Sequence, residues 1–339
     1  MRRSIVSVYG LLLVLNACAW VWAWLIFRSQ PLLLGTALLA YGFGLRHAVD
    51  ADHIAAIDNV TRKLMQEGQR PATVGFYFAM GHSTVVILAA AAIAATATAL
   101  APHFEQAHTI GGLISTSVSA LFLLLIAAMN LMIFHSVWKT FRHVRRGGTY
   151  VEEDLDLLLN KRGFAARLFR PLFRLVKRSW HMFPLGFLFG LGFDTATEVA
   201  LLGISATQAA KGTSIWAIMV FPALFAAGMS LIDTTDGVLM LGAYDWAFVK
   251  PIRKLFYNMT ITLVSVIVAL LIGGIEALGL LEDQLHLSGE FWEWVNRLNG
   301  NFNGLGFAII GIFIVTWAAS VMIYHYKGYE HLEVRGSGD

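Results

Sequence analysis

Only 14% of the 339 residues are charged and 57% are hydrophobic, whereas soluble domains carry about 25% charged residues, so this chain cannot cover a water-facing surface. Net charge is a modest +3, and the one cysteine, Cys18, excludes disulfides and any multi-thiolate metal site. Mean hydropathy is +0.64, a value that points to the bilayer.

Taken in chain order, eight apolar blocks run over 5–27, 32–58, 73–100, 110–137, 183–209, 213–241, 255–280 and 303–326. Each approaches or exceeds the roughly 20 residues a membrane-crossing helix needs. A β-barrel would show short segments of period-two alternation instead. The sequence therefore predicts an all-α integral membrane protein with eight transmembrane helices. The first block follows Arg2-Arg3, and Leu15-Asn16-Ala17-Cys18 faintly resembles a lipoprotein cleavage site. However, the run continues through Trp20, Trp22 and Trp24 to Phe27. That is too long for a signal core, so a retained helix is expected.

Residues 1–137 form a first half of four helices, and residues 183–339 form a second half with a C-terminal tail. Between them, 138–182 reads as a cytoplasmic loop that is partly an amphipathic surface helix, with Glu152, Glu153, Asp154 and Asp156 followed by Leu157, Leu158 and Leu159. With the N-terminus in the cytoplasm, Lys and Arg collect on that side. Arg62, Lys63 and Arg70 lie in one such loop and eleven more between Lys139 and Arg178, whereas only Arg28, Lys211 and Arg297 face outward and Arg46 lies inside a block. This asymmetry places both termini in the cytoplasm of a bacterial inner-membrane protein. It also makes the basic excess a topology signal rather than a mark of nucleic-acid binding.

The halves share short matches. Phe43-Gly44-Leu45 resembles Phe189-Gly190-Leu191, which puts Asp52 at the same offset as Glu198, and Gly81-His82-Ser83 resembles Gly228-Met229-Ser230. The matched helices run in opposite senses, so an inverted repeat is expected, a design that places transporter sites near the midplane.

Ionisable groups in hydrocarbon cost at least a few kcal/mol each, and they concentrate in four blocks. The second block carries Arg46-His47-Ala48-Val49-Asp50-Ala51-Asp52-His53. At about 100° per residue, His47, Asp50 and His53 each lie roughly 60° from the next and can share a cavity, while Asp52 projects elsewhere to pair with Arg46 or buttress a histidine. Imidazole with carboxylate suits Zn, Ni, Co, Mn or Fe, whereas Mg and Ca prefer oxygen alone. The third block adds His82-Ser83-Thr84 after Gly81. The fifth has Asp194 and Glu198 at i and i+4, with Thr195 and Thr197 between them, and the sixth has Ser230, Asp233, Thr234 and Asp236. Four carboxylates without Lys or Arg in these two spans imply a cation or protons. The competing reading is a buried polar network that only fixes helix packing. Glu276, near the end of the seventh block, reads as a snorkelling side chain, and His103, Glu105 and His108 as solvated outer-loop residues.

At these four segments the chain resembles the nickel/cobalt transporter family of bacterial secondary permeases. The resemblance rests on His47, Asp52 and His53 in the spacing of the family's hallmark, and on Gly81-His82-Ser83-Thr84-Val85-Val86. It extends to Leu191-Gly192-Phe193-Asp194-Thr195-Ala196-Thr197-Glu198 and to Gly228-Met229-Ser230-Leu231-Ile232-Asp233-Thr234-Thr235-Asp236-Gly237. It implies high-affinity uptake of Ni²⁺ or Co²⁺ as transported substrate, with no permanently bound cofactor and with the second-span histidines and aspartates binding the ion. No G-x₄-G-K-[ST] loop occurs, so no ATPase motif is present. No H-E-x-x-H occurs either, which argues against an intramembrane metalloenzyme. A metal exporter is the other alternative, but the 138–182 loop has only His143 and His181.

Overall fold

The computed structural model describes residues 2–96, 101–145, 176–191, 195–247 and 251–326. Among these, regular structure is entirely helical: α1 (Arg2–Phe27), α2 (Pro31–His47), α3 (Ala51–Gln66), α4 (Val74–Thr96), α5 (Ala101–Arg145), α6 (Met182–Phe189), α7 (Ala196–Ala210), α8 (Ile215–Ile218), α9 (Val220–Ala247), α10 (Pro251–Leu285), α11 (Glu290–Asn299) and α12 (Phe302–Tyr326). Five stretches are long and apolar enough to cross a membrane, and the number rises to seven if each of two bent helix pairs is one span. Large apolar side chains such as Leu13, Leu32, Leu239 and Val315 are exposed, while imidazoles and carboxylates are buried. That inversion of the soluble pattern is what a hydrocarbon solvent demands.

Two expected continuous spans are broken. Block 32–58 is α2 and α3, bent by 52°. Asp50 takes an extended conformation (φ −68°, ψ 146°) and starts α3, and the amides of Val49 and Asp50 turn back onto the carbonyls of Arg46 and His47. Block 183–209 is α6 and α7, with Thr195 extended (φ −87°, ψ 144°) at the start of α7. The second half-helix of each pair closes the same way. Gly68 (φ +76°) and Gly212 (φ +74°) adopt the left-handed conformation that glycine takes without strain. The following amides, of Gln69 and Thr213, then return to Leu64 O and Gln208 O, a Schellman closure.

Several helix pairs approach closely enough to exclude a side chain. A Cβ on Gly44 of α2 would lie 2.1 Å from Phe225 O of α9, and one on Gly228 would lie 2.7 Å from Tyr41 O. Likewise α4 meets α6, with Gly81 against Phe183 O and Gly186 against Phe78 O. These contacts lock α2 to α9 and α6 to α4, so each broken helix packs on the intact helix of the other half.

Several sequence expectations change here. Arg62 and Lys63, counted as loop charges, are buried in α3 at 1% and 5% exposure. Lys63 Nζ donates to Val176 O at 2.5 Å. The fourth block lies within a 45-residue helix that begins at Ala101 and continues to Arg145, so His103, Glu105 and His108 fall on a helix instead of a loop; their side chains lie outside the described residues. The amphipathic-helix expectation around Glu152–Leu159 lies outside them as well.

The α2–α3 break rests on α12, where a Cβ on Gly306 would meet Val49 O at 1.7 Å. Gly306→Ala should therefore destabilise the folded protein by about 1–3 kcal/mol or more. Gly311→Ala on the same helix, where nothing lies within 4 Å of the added atom, should be neutral or slightly stabilising. Thermal melts of the detergent-solubilised proteins measure both.

Candidate metal site at two helix breaks

The breaks bring three histidines together. His47 ends α2, His53 sits in the first turn of α3, and His82 comes from the middle of α4. Their ring centroids are 4.8 to 4.9 Å apart, and one nitrogen from each lies within 4.8 Å of the others. All three are almost fully buried. His47 Nε2 and His82 Nε2 are 3.0 Å apart, so at least one must present a bare lone pair to the other.

Glu198, in the first turn of α7, completes the group. Its Oε1 is 2.8 Å from His82 Nε2 and 3.8 Å from His47 Nε2. Its Oε2 accepts from Thr195 Oγ1 at 2.9 Å, and Thr195 Oγ1 in turn accepts from the Glu198 amide. The carboxylate is thereby fixed at a helix N-terminus, where negative charge gains about 0.3–1 kcal/mol. His47 is fixed from its other side, because Nδ1 lies 3.0 Å from Asp50 Oδ2 and 3.3 Å from both Thr195 Oγ1 and Thr197 Oγ1. His53 Nδ1 lies 3.3 Å from each oxygen of Asp233. A carboxylate on the far nitrogen fixes the tautomer and leaves Nε2 to ligate. Among the described residues, His53 Nε2 and His82 Nδ1 are buried without a hydrogen-bond partner.

These distances suit a cation. Metal–nitrogen bonds of about 2.0–2.1 Å place adjacent octahedral ligand atoms about 3.0 Å apart and opposed ones about 4.2 Å. The His47–His82 and His82–Glu198 separations match adjacent positions. The widest histidine pair, at up to 4.8 Å, must contract by about half an ångström to share one ion.

Other expected residues have other placements. Asp236 is half-buried and within electrostatic reach of Asp58, Asp233 and His53, so it lies beyond the histidine cluster along α9. Among the described residues, the hydroxyls of Ser83 and Thr234 are buried without partners, and Ser230 Oγ lies 4.0 Å from Met80 Sδ. Thr84 bonds its own helix at Met80 O and does not join the cluster. Asp194 lies outside the described residues. Arg46 and Asp52 line a cavity of about 310 Å³ above the histidines.

Two polar groups were missed. Glu276 does not snorkel: it is 3% exposed and lines that cavity, with Ser119 Oγ donating at 2.8 and 2.9 Å to its two oxygens. On α3, Asp58 accepts from Tyr244 and Ser265, and Arg62 donates to Thr262 and Asn59, which also accepts from Asn130. Glu276 is a lone acid in an apolar run, whereas Asp58 and Arg62 stand in a short polar stretch at the end of one.

Breaks, buried imidazoles and an apolar exterior define a multi-pass membrane protein built around a buried cluster of three histidines. The NicO family model, described as "High-affinity nickel-transport protein", matches residues 33–323. Among similar proteins, "High-affinity nickel transport protein" of Cupriavidus necator is 62% identical over 98% of this chain and 95% of its own. "High-affinity nickel-transport protein NixA" of Helicobacter pylori is 44% identical over 90% and 92%. "Cobalt transport protein NhlF" of Rhodococcus rhodochrous is 40% identical over 96% and 94%. No solved structure matches. The chain belongs to the NicO family of nickel transporters.

Because Asp233 orients His53, Asp233→Asn should weaken Ni²⁺ binding by about 10–100-fold. His82→Ala should weaken it further, and Thr84→Ala should not change it. Calorimetric titration of the purified proteins reads all three.

Proposed function

We propose that this protein carries Ni²⁺ or Co²⁺ into the cell across the cytoplasmic membrane, with His47, His53, His82 and Glu198 as direct ligands. The single observation carrying this reading is the convergence of three buried imidazoles and a carboxylate at two helix breaks. Soluble-type packing needs no such group, and discontinuous helices with ion sites at their ends are a transporter device. Asp50, Thr195 and Thr197 hold His47, and Asp233 holds His53. Asp52 and Arg46 set the charge of the approach. Ser83, Ser230 and Thr234 supply hydroxyls between α4 and α9, while Asp194 and Asp236 serve the ion or proton path.

The proposed topology has eight spans, counting α6 with α7, and cytoplasmic termini. The two broken helices and their partners α4 and α9 form the inverted repeat. The paired closures at Gly68 and Gly212, and the glycine contacts of α2 with α9 and α6 with α4, support it. Transport is by alternating access. The cavity on one side of the histidines gives entry, and the Asp58–Tyr244 and Arg62–Asn59 network closes the other side. A potential of about 100 mV, negative inside, contributes roughly 4.6 kcal/mol for a divalent ion and can drive accumulation without a nucleotide.

Cells expressing the wild type should accumulate ⁶³Ni or ⁵⁷Co, and His47→Ala should abolish this. Net tracer loss from preloaded cells would indicate an exporter instead. Acidification should also act in one direction. Protonated imidazole has no lone pair to ligate, so metal affinity should fall from about pH 7.5 to about pH 5. Unchanged affinity over that interval would count against histidine ligation.

A further inference from the structure

The cavity above the histidines is larger and more acidic than direct ligation needs. Its floor is His47, Asp50 and His82, and its walls include Asp52, Ser115, Ser119 and Glu276. It extends to Asn296, Gly300 and Asn301, which are exposed. The lining thus runs without interruption from buried imidazoles to solvent. Three carboxylates, Asp50, Asp52 and Glu276, face one guanidinium, Arg46, so the chamber carries an excess of negative charge.

Glu276 distinguishes this chamber from a solvated entrance. It is a 3% exposed carboxylate on a helix otherwise rich in apolar residues, and Ser119 bridges both of its oxygens. It has no direct part in the histidine cluster. At the wall of a chamber where three acids meet one guanidinium, this carboxylate adds to a field that attracts a cation.

Size indicates the form in which the chamber would hold a cation. A divalent transition-metal ion arrives with six waters, which occupy about 180 Å³ at roughly 30 Å³ each. The cavity, at about 310 Å³, holds the entire hydrated ion. Its rim and walls also offer asparagines and serines that can accept from or donate to coordinated water.

We propose that this chamber is a second cation site, which captures the divalent ion with its water shell intact, and that Glu276 is its principal anionic contact. Ligation at the histidines is a separate, later event that strips the shell. Glu276 accepts hydrogen bonds from coordinated waters and forms no bond to the metal. Removing its charge lowers the local concentration of the ion and slows capture, without changing the histidines. This proposal rests on the uptake reading for its physiological meaning, but binding to the chamber can be measured separately.

The probe is hexaamminecobalt(III), whose ammonia ligands do not exchange on the time scale of transport and which matches a hydrated ion in size. It can enter an outer-shell site but cannot ligate to histidine. It should inhibit ⁶³Ni uptake by the wild type competitively. In Glu276→Gln, the concentration for half-inhibition should rise about tenfold, as should the nickel concentration for half-maximal uptake, with the maximal rate little changed. Glu276→Asp, which keeps the charge, should retain most of the inhibition, and it serves as the decisive variant if Glu276→Gln fails to reach the membrane. Purified His47→Ala protein should lose tight Ni²⁺ binding yet still bind hexaamminecobalt(III).

Equal inhibition of wild type and Glu276→Gln would overturn the proposal. So would absence of hexaamminecobalt(III) binding to wild-type and His47→Ala protein. Failure of the wild type to accumulate nickel, with probe binding intact and dependent on Glu276, would instead refute the uptake reading and leave the chamber standing.

Discussion

Two imidazole nitrogens, His47 Nε2 and His82 Nε2, face each other at 3.0 Å with a carboxylate oxygen of Glu198 beside them. In hydrocarbon this arrangement is unfavourable unless positive charge sits among the three groups. A proton can bridge two of them, and a divalent cation can satisfy all three. The rest of the molecule holds these groups at that separation. Asp50, Thr195 and Thr197 fix His47 from behind, and Thr195 fixes Glu198.

The helix breaks make that convergence possible. In a continuous helix, His47 and His53 would sit nearly two turns apart along the axis, about 9 Å at 1.5 Å per residue. The bend at Ala48–Asp50 brings their rings to 4.8 Å. The second break does the same for Glu198, carrying it toward His82 from the other half of the chain. Close glycine contacts between α2 and α9 and between α4 and α6 set the positions of both breaks. Histidine geometry therefore depends on backbone packing several residues away, and a methyl group at Gly44 or Gly81 would be felt at the site.

Membrane class, the four polar helices and the histidine and carboxylate residues were legible in the sequence, because charge in an apolar run stands out at any resolution. The breaks were not. Hydropathy sums over about 20 residues and passes across a three-residue interruption without a signal. His47, Asp50 and His53 were grouped from an ideal helical projection, yet they meet because the helix is interrupted there. The same ideal projection gave Asp52 no place in a shared cavity, whereas it lines the chamber with Arg46. Glu198 was read as supporting charge, since sequence spacing cannot measure a contact between residues 116 positions apart. Glu276 was lost for a related reason: a lone acid near a helix end looks the same whether it meets headgroups or a buried serine. The match between halves was visible only as two tripeptides and a shared offset of Asp52 and Glu198.

The chamber is lined by His47 and His82 of the histidine cluster, and along α3 the cluster's His53 is followed by Asp58 and Arg62. In the proposed transport cycle the ion enters hydrated, exchanges water for imidazole and carboxylate, and leaves past Arg62. The middle step decides the account. X-ray absorption at the nickel edge of the Ni²⁺-loaded protein measures it directly. Backscattering from two or three imidazole rings, with oxygen completing the shell and one ring fewer in His82→Ala, is the predicted result; a shell of oxygen alone, unchanged by that substitution, would contradict it.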